Sequence, residues 1–319
     1  MRSALRFLLL CLALASGAAQ AAGPLLTPAE LQPLAAAGAV RLIDVREGPA
    51  YALQHLPGAV SAPYGRWRGP DTSPGQVPPL AELTALVQEL GLTPDTHAVV
   101  VYTGIDATDF GNAARTYWTL KSLGMARLSI LNGGLAAWRD AGLPVSSAPA
   151  AAPRSAWQPR FDPRWMATRD EVKAAIGQPG TLLIDARPPP YFQGRIAHDA
   201  ARARGTLPGA VSVDSELFFE LGSAALLDKA SLAAEADALD APPGAPVVAF
   251  CNTGHWSATD WFVLSEVLGR PGVRMYPGSM VEWTQSPAPL PMANEPGRWR
   301  QLRYMALGWA HRNLGTKAP

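Results

Sequence analysis

The sequence predicts an α/β protein made of two tandem copies of one fold, each a parallel sheet flanked by helices. Three observations lead there. An internal repeat runs through most of the chain, the strand-like segments are apolar throughout, and helical stretches alternate with them.

The repeat is read segment by segment. Leu42-Ile43-Asp44-Val45-Arg46 returns as Leu183-Ile184-Asp185-Ala186-Arg187, and Leu56-Pro57-Gly58-Ala59-Val60-Ser61 returns unchanged from Leu207 to Ser212. Val99-Val100-Val101-Tyr102 answers Val247-Val248-Ala249-Phe250, and Gly133-Gly134-Leu135-Ala136-Ala137-Trp138 answers Gly278-Ser279-Met280-Val281-Glu282-Trp283. Order is kept while spacing drifts by loop-sized amounts. Two domains explain this better than a solenoid, which needs more and shorter repeats.

Within the first copy, residues 41–46, 59–63, 98–102 and 127–131 are short and rich in Val, Ile and Leu. They are apolar without alternation, as strands covered on both faces are. Residues 80–90 and 113–123 carry helical periodicity between them, so the strands are expected to be parallel. The boundaries read as 24–147 for the first domain, 148–166 for a linker and 167–292 for the second domain. The linker belongs to an Ala-, Pro- and Ser-rich run, 146–160. Residues 293–319 form a tail outside the repeat, with Trp299, Leu302, Met305 and Trp309 at roughly helical spacing. This face is expected to pack against a domain.

Length and charge agree with that organisation. The 319 residues suit about two domains. Hydrophobic residues at 48% supply a core for each, and a net charge of +1 offers no field for a polyanion, which argues against a nucleic-acid partner. Arg2 and Arg6, the apolar stretch 7–15 and Ala19-Gln20-Ala21 read as a secretory signal peptide, 1–21, with the mature chain starting near Ala22. An uncleaved anchor is the alternative, but the stretch is short for a span and no later segment reaches span length. Export is the expectation, to the periplasm in a Gram-negative cell, with no stable membrane insertion once the signal is removed.

Of two cysteines, Cys11 leaves with the signal, so the mature chain keeps Cys251 and can form no internal disulfide. A lone Cys is either buried and inert or a reactive thiol. Its surroundings favour the second. Cys251 follows an apolar strand, where parallel sheets bind ligands. The loop Asn252-Thr253-Gly254-His255-Trp256-Ser257 leads into a helical pattern over 258–268. Loop N–H groups and a helix N-terminus converging on the sulfur favour its anionic form.

With these segments in place, the chain resembles the tandem-domain rhodanese family, from about Leu25 to Met292. The resemblance rests on Leu-Ile-Asp-x-Arg, Leu-Pro-Gly-Ala-Val, the Cys loop and Gly-Ser-x-x-Glu-Trp, in family order. It implies that Cys251 carries sulfur as a persulfide, taken from thiosulfate or 3-mercaptopyruvate and passed to a thiol or cyanide, and that residues 252–257 hold it. It implies no metal and no organic cofactor, and the remaining histidines show no ligand spacing. The first repeat has Thr103 where Cys251 is expected to fall, so it reads as catalytically silent. Asp185 and Arg187 recur in that silent copy and so read as bracing the site. Ser279 and Glu282 follow the family's donor-pocket segment, with a structural turn as the alternative. Trp256 either lines the mouth or is core.

The loop departs from thiosulfate-using relatives in having no Lys or Arg. His255 is its one candidate cation. Pro188-Pro189-Pro190 intervene where an anion-binding Arg is expected, leaving Arg195 as either a donor ligand or a solvated charge. Thiosulfate is therefore expected to bind poorly, and Thr253→Lys to help. A phosphatase loop would end in Arg, whereas this one ends in Ser257. A sulfur carrier or sensor, and a binding module with an inert Cys, remain the non-enzymatic alternatives.

Overall fold

The computed structural model describes residues 22–239 and 244–314. The segment read as a signal peptide, with Cys11, lies outside the described residues, as do the side chains of Met305 and Trp309.

The first unit contains β1 (Leu25–Leu26), β2 (Arg41–Asp44), β3 (Val60–Ser61), β4 (Ala98–Val101) and β5 (Leu128–Leu131), paired in parallel in the order β1-β5-β4-β2-β3. Its helices are α1 (Pro28–Ala36), α2 (Gly48–Leu53), α3 (Leu80–Glu89), α4 (Ala107–Ser122) and α5 (Gly134–Asp140). The second unit has β6 (Leu182–Asp185), β7 (Val211–Ser212), β8 (Val247–Phe250) and β9 (Val273–Met275), parallel in the order β7-β6-β8-β9. Around it lie α6 (Arg169–Ala175), α7 (Pro189–Phe192), α8 (Lys229–Asp237), α9 (Trp256–Trp261) and α10 (Ser279–Thr284), and α11 (Arg298–Leu314) follows. Every residue of β4 and β8 is buried, as the unbroken apolar runs require.

Several elements differ from the sequence expectation for local reasons. The first-copy strand expected over 41–46 stops at Asp44, whose carboxylate accepts the Arg46 backbone N–H at 3.0 Å and turns the chain; Asp185 does the same to Arg187 at 3.2 Å. Helix α4 starts well before residue 113, because Asp106 caps it by accepting from the Asp109 N–H at 2.8 Å. The helix after Cys251 starts at Trp256 and widens into a π-helix over Phe262–Val267. The run 146–160 is extended and docked on the first unit. The Ser155 N–H donates to the Gln88 carbonyl and the Gln88 amide to the Trp157 carbonyl, both at 2.9 Å. On α11, Trp299 is 84% and Leu302 50% exposed, so the expected packing of that face on a domain is not made by these two residues.

The two units share one core. Phe110, Tyr117 and Trp118 of α4 belong to the same buried cluster as Trp261 and Phe262, with the Tyr117 and Phe262 rings 5.0 Å apart. Register also corrects one alignment. Asp44 pairs with Val101, and Asp185 with Phe250. Tyr102, not Thr103, therefore stands in the position of Cys251. The Leu135 N–H donates to the Tyr102 carbonyl as the Met280 N–H does to that of Cys251. The sequence alignment slipped by one because both strands are plain apolar runs with no internal landmark. The Tyr102 hydroxyl donates to the Ala224 carbonyl of the second unit at 2.6 Å, so the equivalent position serves as a strut between units.

Candidate active site around Cys251

Strand β8 ends at Phe250 and delivers Cys251, fully buried, to the floor of a pocket of about 180 Å³. Its lining is Arg68, Tyr191, His198, Cys251, Asn252, Thr253, His255 and Trp256. The sulfur accepts from the His255 N–H at 3.3 Å and the Ser257 hydroxyl at 3.5 Å. The Cys251 N–H donates to the Ser279 Oγ at 3.0 Å, and Ser279 in turn donates to the Tyr276 carbonyl. Ser279 adopts φ of 52°, uncommon for a residue with a side chain and a sign that the turn is held by its surroundings.

The loop is tight because Gly254 takes φ of 69°, and a Cβ there would meet the Pro277 carbonyl at 2.6 Å. Asn252 is anchored through its carbonyl by the Val281 N–H and through Oδ1 by Arg187 at 3.3 Å. Arg187 grips Asp185 with two bonds of 2.7 and 2.6 Å, and its Nη2 also donates to the Gly205 carbonyl. Asp185 and Arg187 thus brace the loop, and their charges compensate each other. Asp260 lies buried behind the loop, its oxygens without a hydrogen-bond partner among the described residues. Burial first, and then the Cys251 charge, push its carboxyl well above the usual carboxylate range.

The first unit completes the site, which the sequence did not reveal. The Tyr64 hydroxyl lies 2.9 Å from His255 Nδ1, and His255 Nε2 lies 2.8 Å from the Thr108 carbonyl. A carbonyl can only accept, so Nε2 carries the proton and Nδ1 accepts from Tyr64. Burial, followed by the charge of Arg68, lowers the His255 pKa to about 4. His255 is therefore neutral at pH 7 and does not supply the missing cation. Gly111 makes room for the ring, since a Cβ there would meet it at 2.6–2.9 Å. That accounts for a glycine inside α4 at a helix cost of about 1 kcal/mol. Arg115 of α4, buried, donates to the Gly254 carbonyl at 3.1 Å and to the Gly75 carbonyl at 3.0 Å. Burial lowers its pKa to about 10, which leaves it charged at pH 7.

Arg68 is the cation of the pocket. Its Nη2 donates to Thr253 Oγ1 at 3.0 Å, its Nε donates to the Pro74 carbonyl, and its guanidinium lies over the Tyr64 ring at 5.0 Å. Among the described residues it has no carboxylate partner. The expectation of a pocket without a fixed positive charge is thus corrected. Arg68 lies in the first unit, 185 residues before Thr253, and nothing in the loop sequence points to it. Arg195 does not line the pocket, and Tyr191 does so from α7, with the Arg187 guanidinium 5.9 Å from its ring centre. Trp256 lines the mouth, its Nε1 donating to the Thr108 hydroxyl at 3.2 Å. Glu282 is not beside the thiol; it lines a separate cavity that shares no residue with this pocket.

Two parallel α/β units, one carrying a buried thiol in a loop after a central strand, define a class, and the comparisons agree with it. Residues 27–141 and 168–286 each match the Rhodanese-like domain, and the chain belongs to the rhodanese family. It is similar to the thiosulfate sulfurtransferase of Azotobacter vinelandii, at 33% identity over 82% of this chain and 93% of that one. The thiosulfate sulfurtransferase of Pseudomonas aeruginosa is 33% identical over the same shares. In fold it resembles SseA, a 3-mercaptopyruvate sulfotransferase of Escherichia coli, with a TM-score of 0.71 at 24% identity, covering 81% of this chain and 99% of that one.

Proposed function

We infer that this chain is a sulfurtransferase that moves sulfane sulfur from an anionic donor, thiosulfate or a close analogue, to a thiol or cyanide through a persulfide on Cys251. The observation that carries this reading is the buried Cys251 sulfur, held by the His255 N–H and the Ser257 hydroxyl, in a small pocket with Arg68, which has no carboxylate partner among the described residues. The thiolate attacks the outer sulfur of thiosulfate. A new sulfur–sulfur bond forms as the old one breaks, and sulfite leaves with the electron pair. The acceptor then attacks the outer sulfur of the persulfide and frees the thiolate, in a double-displacement cycle.

In this reading Arg68 receives the donor's anionic end, while Asn252, Thr253 and Gly254 keep the loop in shape. The neutral His255 positions its own backbone N–H through its bonds to Tyr64 and Thr108. The first unit has no thiol and contributes the wall of the pocket. The test is Cys251→Ser, nearly isosteric and a poor sulfur acceptor. Turnover of thiosulfate with cyanide should vanish while the fold is kept. Donor-treated wild type should gain one sulfur on the peptide containing Cys251. Substantial activity in the variant would sink the reading. Repeated turnover with small acceptors separates an enzyme from a carrier that passes sulfur only to a protein partner.

We also propose that the chain is exported by its first 21 residues. The basic pair Arg2 and Arg6, the apolar stretch after them and Ala19-Gln20-Ala21 support this. N-terminal sequencing of protein made in a Gram-negative host should find Ala22 first, in the periplasmic fraction. An intact Met1 in the cytosol would refute it.

A further inference from the structure

The cavity that takes Glu282 has no part in sulfur transfer as described above. Its volume is about 280 Å³, and it lies between the units, walled by Gln76 and Val77 of the first and by Met166, Arg169, Tyr276 and Glu282 of the second. That is just under the range of roughly 300–1,000 Å³ usual for drug-sized ligands, and it suits a small metabolite.

Two charged side chains and one buried hydroxyl line it. The Tyr276 hydroxyl is buried beside the Glu282 carboxylate, yet it makes no well-formed hydrogen bond among the described residues. Arg169 and Glu282 both line the cavity, and neither forms an ion pair with any described residue, nor with the other. Both charges nevertheless act on the Tyr276 hydroxyl, from opposite signs. Gly278 lets the Glu282 carboxylate fold back here, since a Cβ at that position would collide with it.

Two unlike charges that share a cavity without pairing select a ligand that carries both. A simple anion would meet Glu282, a simple cation Arg169, and a neutral molecule would leave each charge unmatched. Val77 and Met166 add an apolar wall. We propose that this cavity binds a small α-amino acid as its zwitterion, with the carboxylate toward Arg169 and the Tyr276 hydroxyl, the ammonium toward Glu282, and a short apolar side chain against Val77 and Met166. The occupant would sit on the turn from Tyr276 to Ser279, whose Pro277 carbonyl packs on Gly254 and whose Ser279 oxygen takes the Cys251 N–H. The amino acid is thus placed where its binding is felt at the thiol loop.

The experiment is titration calorimetry on the full chain with L-valine, isobutylamine and isovalerate, the last two lacking the carboxylate or the ammonium. L-valine should bind saturably in the millimolar range, and neither analogue should match it. Arg169→Gln and Glu282→Gln should each weaken valine at least about tenfold, the worth of one charge-assisted hydrogen bond. Arg169 is partly exposed, so its variant remains informative if Glu282→Gln folds poorly. Cys251→Ser should bind valine as the wild type does, which separates this site from the sulfur-transfer reading. No saturation by valine up to roughly 50 mM, equal binding of either analogue, or unchanged binding in both charge variants would overturn the proposal.

Discussion

Removing the charge of Arg68 is the sharpest test of how the pocket takes its donor. Arg68→Gln keeps a hydrogen-bonding side chain at Thr253 but deletes the one cation lining the thiol pocket that lacks a carboxylate partner among the described residues. At about 4 Å, two unit charges near a protein surface attract by about 4 kcal/mol before desolvation is counted. Measured losses for hydrogen bonds to charged groups run lower, at about 1.5–3 kcal/mol. Thiosulfate should therefore lose roughly 10- to 150-fold in kcat/KM, mostly through KM, because the charge binds the donor before and during attack. The assay is steady-state thiocyanate formation, with methanethiosulfonate, a monoanion, run beside thiosulfate. The monoanion should lose less, and added salt should slow the wild type more than the variant. The same geometry reverses the expectation for Thr253→Lys. A lysine there would face Arg68 and displace its anchor, so thiosulfate use should fall. Retention of wild-type kcat/KM within about twofold in Arg68→Gln would refute the argument, since even the weakest charge-assisted bond is worth more.

Other consequences can be checked independently. His255 has its pKa depressed to about 4 from 6.5. The unfolded chain therefore binds the proton first, so this contribution to stability is complete above pH 6.5 and is lost as pH falls toward 4. Urea unfolding should show about 2 kcal/mol of this loss, allowing for a partly exposed ring, and His255→Gln should remove that part of the pH dependence. Thiosulfate use should show no gain on acidification from pH 8 to 6, and a clear gain there would mean that His255 does take a proton. Gly254→Ala forces a side chain into a left-handed backbone and onto the Pro277 carbonyl. Denaturant titration should show a loss of at least about 1 kcal/mol and the assay a larger fall in turnover; wild-type behaviour would mean the loop is looser than described. Tyr102→Phe removes the bond to Ala224 and should cost about 1–2 kcal/mol in unfolding with kcat changed little; a selective loss of kcat would give the first unit a chemical role.

Much of this protein was legible in its sequence, because the relevant physics is local and repeated. Strands buried on both faces leave unbroken apolar runs, the duplicated Leu-Pro-Gly-Ala-Val marks two copies, and a thiol directly after such a run sits at the carboxyl edge of a parallel sheet. The pairing of Asp185 with Arg187 was readable because the same two residues recur as Asp44 and Arg46, only two positions apart. Tertiary structure decided what crosses between the units. Tyr64, Arg68, Thr108 and Arg115 reach the Cys251 loop from a domain with no thiol of its own, through contacts that span more than a hundred residues. No periodicity or spacing records such contacts, since they arise when α4 packs on α9 and carries its neighbours with it. The charge state of His255 belongs to the same category. Its sequence neighbours do not fix its charge, and it is burial against Gly111, between Tyr64 and the Thr108 carbonyl, that keeps it neutral well into the acid range. Glu282 shows the limit from the other side. The resemblance implied a place in the donor pocket, with a structural turn as the alternative, and one helical turn after Ser279 the chain points it into a different cavity.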